Sequence, residues 1–247
     1  MIALRAIVRL GLAVLHALHG ALICAFVFPR LDAKQRMQRV GWWSAHMLTV
    51  LGIRLQTSGT PHAGPVLLVA NHISWLDILA VNAVQPVRFV SKADVRHWPF
   101  IGYLVACGGT LFIERERKRD ALRVVHQIAA ALEAGETVAV FPEGTTSDGR
   151  GVLPFHANLL QAAIATGTPV QPVVLRYSDA RSAFSDAGSY VGDTSLVASL
   201  WSAATADGLC AHVDVQPAEG TRHLDRRALA GKLREAIAAR LADTDCS

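Results

Sequence analysis

The stretch that decides the fold is Val66-Leu67-Leu68-Val69-Ala70-Asn71-His72-Ile73-Ser74-Trp75-Leu76-Asp77. Its apolar start, Val66–Val69, predicts a buried β-strand, and polar side chains follow where that strand ends. A neutral imidazole such as that of His72 accepts a proton near neutral pH, and a carboxylate on the far ring nitrogen orients it and stabilises the imidazolium. His72 and Asp77 therefore predict a base with its orienter. Since no serine or cysteine is obviously paired with them, the substrate is expected to bring its own nucleophile.

The same residues have a structural alternative. Ser74, followed three residues later by Asp77, is typical of a capping box that opens a helix from Trp75 to about Ala83. In that interpretation Asp77 caps the helix and His72 is a packing residue. The motif alone leaves both interpretations open.

A second polar turn, Phe141-Pro142-Glu143-Gly144-Thr145-Thr146-Ser147-Asp148-Gly149, follows another strand-like run, Thr137–Val140. In an open α/β sheet the ligand crevice lies beyond the carboxyl ends of the strands, so two such turns are expected to face one site. Glu143 is then a carboxylate held among small hydroxyl residues, and Gly144 permits a tight backbone. The alternative is an ordinary surface turn, for which this composition is also normal.

A third strand-like stretch, Gly109–Arg115, also ends in charge. An arginine at a strand end can hold a phosphate through two hydrogen bonds from its planar guanidinium. Acidic and basic residues alternate in and after this stretch, which is typical of a solvated surface. Arg115 is therefore the candidate ligand for an anionic head group.

With these motifs and a fourth, Thr168–Val174, in this order, the chain resembles the 1-acyl-sn-glycerol-3-phosphate acyltransferases and their lysophospholipid and lyso-ornithine lipid acyltransferase relatives. The resemblance spans about Pro65–Tyr177. It implies transfer of a fatty acyl group from an acyl thioester, acyl-CoA or acyl-ACP, to the free hydroxyl of a lysolipid in phospholipid biosynthesis. Lysophosphatidic acid, giving phosphatidic acid, is the leading acceptor. The implied site consists of the catalytic pair His72 and Asp77 and the substrate-binding residues Arg115, Glu143, Gly144 and Thr145.

Two positions depart from the family pattern. Thr146 stands where many phosphatidate-forming members carry an arginine, so one phosphate partner is missing. His156 and Ala157 stand where a lysine-glycine pair is expected. Such variants also resemble lyso-ornithine lipid acyltransferases. Acylation of lyso-ornithine lipid or of another lysophospholipid therefore stays open beside lysophosphatidic acid.

The implied mechanism is direct transfer. His72 removes the proton of the acceptor hydroxyl as the oxygen attacks the acyl carbonyl, and Asp77 orients His72. The tetrahedral oxyanion needs donors, and the backbone N–H groups at the turn or helix start after His72 are candidates. Two other classes stay open: a thioester hydrolase, and a non-catalytic membrane lipid-binding protein.

The whole chain fits one catalytic domain with an apolar appendage, because it has 247 residues of which 51% are hydrophobic. Strands alternate with helices, which predicts an α/β fold with a mainly parallel or mixed sheet flanked by helices. The segment Ser178–Gly208 is weakly patterned and predicts a variable loop with one helix. The predicted strands are Val66–Val69, Val87–Val90, Thr110–Ile113, Thr137–Val140, Val170–Leu175 and His212–Val215, and the predicted helices are Ala121–Ala134, Ala157–Thr166, Leu196–Ala204 and Leu224–Leu241.

The N-terminus supplies the appendage. Leu10–Phe28 contains no Asp, Glu, Lys or Arg, and its length just suffices to span a bilayer. A second apolar segment, Val40–Leu55, follows a basic link and carries Trp42 and Trp43, which suit the headgroup boundary. We expect membrane-associated helices over residues 1–58 and the catalytic domain over residues 59–247, at the inner (cytoplasmic) membrane with that domain facing the cytoplasm. Whether the helices span the bilayer or lie in one leaflet stays open.

Composition narrows the classes of ligand. The net charge of +4 and a pI of about 9.1 favour anionic lipids and acidic or nucleotide-bearing acyl donors. The chain carries no aromatic RNA-binding motif and no helix-turn-helix or zinc-finger spacing, so nucleic acid is not an expected partner. Its four cysteines lie far apart, which predicts neither a disulfide framework nor a zinc site. Without a Walker loop or dinucleotide fingerprint, no bound cofactor or metal is expected, and the acyl thioester is the co-substrate.

Overall fold

The computed structural model describes residues 1–113 and 118–245. Within them, seven strands form one sheet in the order β1-β7-β6-β2-β5-β3-β4. In this part of the chain β6 and β7 pair antiparallel and the other neighbours pair in parallel. The strands are β1 (Arg54–Gly59), β2 (Leu67–Ala70), β3 (Arg88–Lys92), β4 (Leu111–Ile113), β5 (Val138–Val140), β6 (Val170–Ser178) and β7 (Cys210–Val215). The predicted mixed sheet flanked by helices is confirmed.

Helices cover both faces of the sheet. They are α1 (Ile2–Leu22), α2 (Ala33–Leu51), α3 (Leu76–Val84), α4 (Ile101–Cys107), α5 (Lys118–Glu133), α6 (Gln161–Thr166), α7 (Leu196–Thr205) and α8 (Arg226–Asp245). Successive side chains of a strand point to opposite faces. Leu68 and Ala70 of β2 accordingly join a core with α2 and α3, whereas Leu67 and Val69 join the opposite core with α5 and α8. β2 is therefore buried on both sides, which explains its unbroken apolar sequence.

The middle of the sheet positions the turn after β2. β2 lies between β6 and β5 and runs parallel to both, so the carboxyl ends of these three strands meet at one edge. Just past β2, the buried Asn71 side chain accepts from Leu175 N at 2.8 Å and donates to Leu175 O at 2.9 Å. These two bonds continue the attachment of β2 to β6 beyond Ala70, because a buried amide side chain needs partners for both of its polar atoms. They hold the point at which the chain turns into His72.

The second apolar segment is a correction to the prediction from sequence. Val40–Leu55 predicted one membrane-seeking helix, but α2 ends at Leu51, because Gly52 takes φ +77°, and β1 begins at Arg54. Met47, Leu48 and Leu51 are buried in the same core as the sheet. One face of α2 is therefore a core face. The predicted domain boundary, between residues 58 and 59, falls inside β1. The division of the chain into N-terminal helices and a catalytic domain stays a prediction.

α1 packs one side against the domain. Ala6, Ala13 and Gly20, spaced seven residues apart, are buried, and Arg9 Nη1 donates to Ala204 O at 2.9 Å. The helical stretch Ile2–Arg30 contains an 18-residue window with a mean hydropathy of 2.1, and it is long and apolar enough to cross a membrane. Its exposed side carries Ile2, Leu4, Ile7, Val8, Leu12, Val14, Leu15, Leu18, Leu22 and Phe26. The result is a helix with a small-residue docking face and a large apolar free face.

Among the helices and strands named above, the other predicted elements are present with shifted ends, and β1 and α4 were not predicted. β1 gave no signal because its sequence, Arg-Leu-Gln-Thr-Ser-Gly, is mostly exposed and lacks an apolar alternation. α4 is only seven residues long and its one fully buried residue is Gly102. Neither element carries the hydrophobic period by which strands and helices are found in sequence.

Candidate active site

The predicted dyad forms at the carboxyl end of β2. His72 Nδ1 lies 2.8 Å from Asp77 Oδ2. Asp77 is in the first turn of α3 and is fully buried, whereas 19% of the His72 side chain is exposed. With Nδ1–H donating to the carboxylate, the Nε2 of the neutral ring carries the lone pair that can accept a proton. The arrangement fits a general base that reaches the protein surface.

Asp77 is held by four donors. Besides His72, its Oδ2 accepts from the N–H groups of Ile73 at 2.7 Å and Ser74 at 3.0 Å, and its Oδ1 accepts from the Tyr177 hydroxyl at 2.8 Å. Hydrogen bonds of this kind favour the charged form of a carboxylate and fix its orientation. The bond from Ser74 N is one half of the capping box that the sequence suggested. One carboxylate therefore closes the turn and also orients the histidine.

An aromatic stack holds the plane of the histidine ring. The His72 ring stacks on Phe141 with centroids 4.0 Å apart and planes 8° apart, and Phe141 stacks on Phe89 at 5.6 Å. Phe141 directly follows β5, the parallel neighbour of β2, which brings the two residues side by side. Phe141 belongs to the second polar turn, and its sequence context alone did not indicate this role. Its position immediately after a strand, beside a polar turn, was the available signal.

The main chain of His72 is held from the second turn. His72 N donates to Glu143 Oε1 at 2.8 Å, and His72 O accepts from Ser147 N at 2.8 Å and from Ser147 Oγ at 3.2 Å. Glu143 Oε2 accepts from Leu153 N at 3.1 Å. The two polar turns thus meet at one sheet edge, as their places after parallel strands predicted. Ser147 is a further site residue, whose role the sequence alone did not indicate.

Glu143 is only 4% exposed, and burial raises its pKa, against the opposing effect of the amide hydrogen bonds from His72 and Leu153. Both of its oxygens bind main-chain amides, so the geometry gives it a positioning role, and its predicted contact with the acceptor stays a prediction. Gly144, at φ +73°, turns the chain so that its N–H donates to Phe141 O at 3.1 Å. Thr145 beside it is exposed and open to an acceptor.

Arg115, the predicted head-group ligand, lies outside the described residues. β4 ends at Ile113 and runs parallel to β3, which is parallel to β5. β4 therefore ends at the same sheet edge as the dyad. The role of Arg115 in binding the acceptor stays a prediction.

Two of the expected oxyanion donors, the N–H groups of Ile73 and Ser74, are already engaged, and the remaining amides at the start of α3 stay candidates. The N–H groups of His72, Ile73 and Ser74 already donate to the carboxylates of Glu143 and Asp77. A donor that is engaged with a carboxylate is not free for a developing oxyanion. These three amides therefore hold the dyad and its turn in place.

Part of the segment predicted as a variable loop covers the site. Thr146 Oγ1 donates to Tyr190 O, Tyr190 N donates to Ile73 O at 3.0 Å, and Ser185 N donates to Tyr177 O at 2.8 Å. The polar composition of the segment hid this role, because its contacts are made by main-chain groups that any residue carries.

Together, an open α/β sheet and a histidine–carboxylate pair at its edge form the arrangement expected of a group-transfer enzyme. Residues 52–176 match the family model described as Acyltransferase. The chain is 35% identical over 229 residues to the Lyso-ornithine lipid O-acyltransferase of Pseudomonas aeruginosa, covering 92% of this chain and 86% of that protein. It is 38% identical over 194 residues to the 1-acyl-sn-glycerol-3-phosphate acyltransferase of Neisseria meningitidis serogroup B, covering 78% of this chain and 76% of that protein.

A solved structure has the same fold. The crystal structure of the 1-acyl-sn-glycerophosphate (LPA) acyltransferase PlsC from Thermotoga maritima superposes with a TM-score of 0.72 at 19% identity, covering 100% of this chain and 99% of that one. At this identity the likeness concerns the fold. From the family model and the two relatives, the chain belongs to the acyltransferase family that its motifs resemble.

Proposed function

We propose that the protein transfers a fatty acyl group directly from an acyl thioester to the free hydroxyl of a lysolipid. The observation that carries this is the 2.8 Å bond between His72 Nδ1 and the buried Asp77, with the histidine side chain part-exposed. His72 Nε2 takes the proton of the hydroxyl, the oxygen forms its bond to the acyl carbon, and the tetrahedral intermediate expels the thiolate. The imidazolium then returns the proton to the leaving sulfur. Asp77 stabilises the imidazolium between these two proton transfers.

The acceptor hydroxyl supplies the nucleophile in this mechanism. The described residues around His72 support it, because the ring contacts Phe141 and Asp77, and the nearby Ser147 hydroxyl donates to the His72 carbonyl rather than to the ring. A serine nucleophile would need its hydroxyl within hydrogen-bond reach of the imidazole. Thr145, Gly144 and Arg115 are the proposed contacts to the acceptor.

Lysophosphatidic acid is the leading acceptor, because the relatives include an enzyme named for it and the four motifs follow that pattern. Lyso-ornithine lipid is the second candidate. It is favoured by Thr146, which stands at the arginine position of many phosphatidate-forming enzymes and whose hydroxyl is engaged with Tyr190 O. A threonine held in this way offers no positive charge to a phosphomonoester. Acyl-CoA and acyl-ACP are the two proposed donors.

The protein is membrane-associated, and we place it at the inner (cytoplasmic) membrane with the catalytic domain in the cytoplasm. α1 is docked on the domain through Ala6, Arg9 and Ala13, so its free apolar face is positioned to enter one leaflet while the domain stays in water. The basic residues that follow it suit an anionic cytoplasmic surface. Replacing Leu12 and Leu15 on the free face with Asp is expected to release the protein from anionic vesicles in a flotation assay. Full retention would contradict this orientation.

The function is tested by thiol release from acyl-CoA and from acyl-ACP, together with mass analysis of the lipid product. The acceptors are lysophosphatidic acid, lyso-ornithine lipid, lysophosphatidylglycerol and none. The rate is expected to depend on one acceptor and to fall about 100-fold or more in His72→Ala, the scale of general-base catalysis. His126→Ala, which alters an exposed histidine on α5, is the matched control.

Each alternative has its own result in this assay. Equal thiol release with and without acceptor would identify a thioester hydrolase. Binding of lysolipid without turnover of either donor would identify a lipid-binding protein. A product formed only from lyso-ornithine lipid would make that lipid the acceptor in place of lysophosphatidic acid. Thr146→Arg would then test whether a positive charge at this position enables the use of lysophosphatidic acid.

A further inference from the structure

Tyr177 is a buried phenol to which the mechanism above gives no part. It is near the end of β6, is 3% exposed, and lies 100 residues along the chain from Asp77. Its hydroxyl donates to Asp77 Oδ1 at 2.8 Å. A buried tyrosine hydroxyl needs a hydrogen-bond partner, and here the partner is the carboxylate of the dyad rather than a main-chain carbonyl.

The bond falls on the oxygen of Asp77 that faces away from the histidine. Oδ2 accepts from His72, Ile73 and Ser74, whereas the hydrogen bond described at Oδ1 comes from Tyr177. Burial and the neighbouring Asp77 raise the pKa of Tyr177 well above its ordinary value. The phenol therefore stays protonated and remains a hydrogen-bond donor to Asp77.

Packing holds the ring in this position. A Cβ placed on Gly188 would lie 2.4 Å from Tyr177 Cγ, so the glycine allows the chain to rest directly on the ring. Ser185 N donates to Tyr177 O at 2.8 Å, and Tyr190 N donates to Ile73 O at 3.0 Å. The segment 185–190 thus clamps Tyr177 and the dyad turn together.

We propose that Tyr177 is a positioning residue of the acyl transfer reaction, which fixes the Asp77 carboxylate and sets how strongly that carboxylate supports protonated His72. A donor on Oδ1 withdraws negative charge from the carboxylate. Without it, the carboxylate holds more charge and interacts more strongly with a protonated imidazole, which moves the pH dependence of the reaction. The carboxylate also loses one of the bonds that fix its plane, so His72 is less well aligned with the hydroxyl.

This proposal rests on the proposed function and is tested with Tyr177→Phe, which removes one oxygen atom. We expect kcat to fall about tenfold with KM for donor and acceptor unchanged. The acidic limb of the kcat/KM profile is expected to move to higher pH. Assays use acyl-CoA with lysophosphatidic acid or lyso-ornithine lipid, whichever supports transfer. Tyr103→Phe, at an exposed tyrosine on α4, is the matched control.

Two further variants separate the possible outcomes. Gly188→Ala keeps the phenol but pushes the ring, and we expect it to move the acidic limb in the same direction. His72→Ala tests the base itself. If His72→Ala is inactive while folded Tyr177→Phe keeps the wild-type kcat and acidic limb, Tyr177 is only a core residue and the proposed function stands. If His72→Ala keeps full activity, the proposed function itself fails. A lower melting temperature with an unmoved acidic limb would also overturn the positioning role.

Discussion

Replacing Asp77 with asparagine tests the dyad most directly, because the change removes a charge and little else. The carboxylate is fully buried, and its Oδ2 accepts from three N–H groups of which His72 Nδ1 is one. An asparagine oxygen in the same place can still accept these bonds. Tyr177, which donates to Oδ1, can turn its hydroxyl and accept from the new amide group. The fold is therefore expected to survive.

The magnitude follows from the charge that is lost. Opposite unit charges whose centres lie about 4 Å apart attract by about 4 kcal/mol at an effective dielectric constant of about 20. Only part of the proton has moved to His72 in the transition state, so we expect a loss of about 2 to 4 kcal/mol of transition-state stabilisation. That corresponds to a fall in kcat of about 30-fold to about 1000-fold. KM is expected to stay unchanged, because Asp77 is buried behind the histidine.

The assay is steady-state thiol release with the preferred donor and acceptor, and circular dichroism checks folding. Asp207→Asn is the matched control, because its carboxylate is exposed and lies 4.0 Å from Arg5. A folded Asp77→Asn enzyme with a kcat within about threefold of wild type would refute the view that Asp77 stabilises a protonated His72. The same view would be refuted if Asp207→Asn lowered kcat as much as Asp77→Asn does.

Three further predictions concern stability. Asn71→Ala is expected to cost about 2–5 kcal/mol in denaturant unfolding, because it leaves both Leu175 N and Leu175 O without their buried partner; a cost no greater than that of Asn158→Ala, at an exposed asparagine, would contradict this. Burial, followed by the charges of Arg176 and Arg54, lowers the pKa of His212 from 6.5 to about 4. The neutral histidine therefore contributes to the stability of the fold above pH 6.5, and this contribution is lost as the pH falls towards 4. The free energy of unfolding of His212→Asn minus that of the wild type is therefore expected to be higher at pH 4 than at pH 7.5, by up to about 3 kcal/mol. Burial raises the pKa of Glu143 above 4.5. The contribution of the protonated carboxyl to stability is therefore present below pH 4.5 and is lost as the pH rises through the folded-state pKa. Glu143→Gln should remove that decline from melting temperatures measured upward from pH 4, and an identical pH dependence in both proteins would contradict this prediction.

The dyad and most of the sheet were predictable because their signals are local. His72 and Asp77 are separated by four residues, so one turn after a strand is enough to bring them together. The strands β2 and β5 are unbroken apolar runs, since they are buried on both faces, and β6 is buried along most of its length. The motif order then indicated the family, which the relatives confirm.

The second N-terminal segment shows where local signals mislead. An apolar run such as Val40–Leu55 is similar whether its partner is lipid or a protein core. α2 uses Met47, Leu48 and Leu51 to pack on the sheet, and the strand after Gly52 has no apolar alternation of its own. Hydropathy alone therefore does not distinguish two arrangements of that stretch: one membrane helix, or a core helix followed by a strand.

The sequence by itself determined which residues make up the candidate site: a histidine, a carboxylate within its reach, and a second polar turn after a parallel strand. Tertiary structure alone decided what holds that chemistry in place. Phe141 stacks on His72, Ser147 binds its carbonyl, and Tyr177 reaches Asp77 from 100 residues away. These contacts depend on strand order, with β2 between β5 and β6, and on main-chain groups of the segment 185–190. Periodicity reports only which face of an element is buried, so the neighbour it is buried against becomes known once the chain has folded.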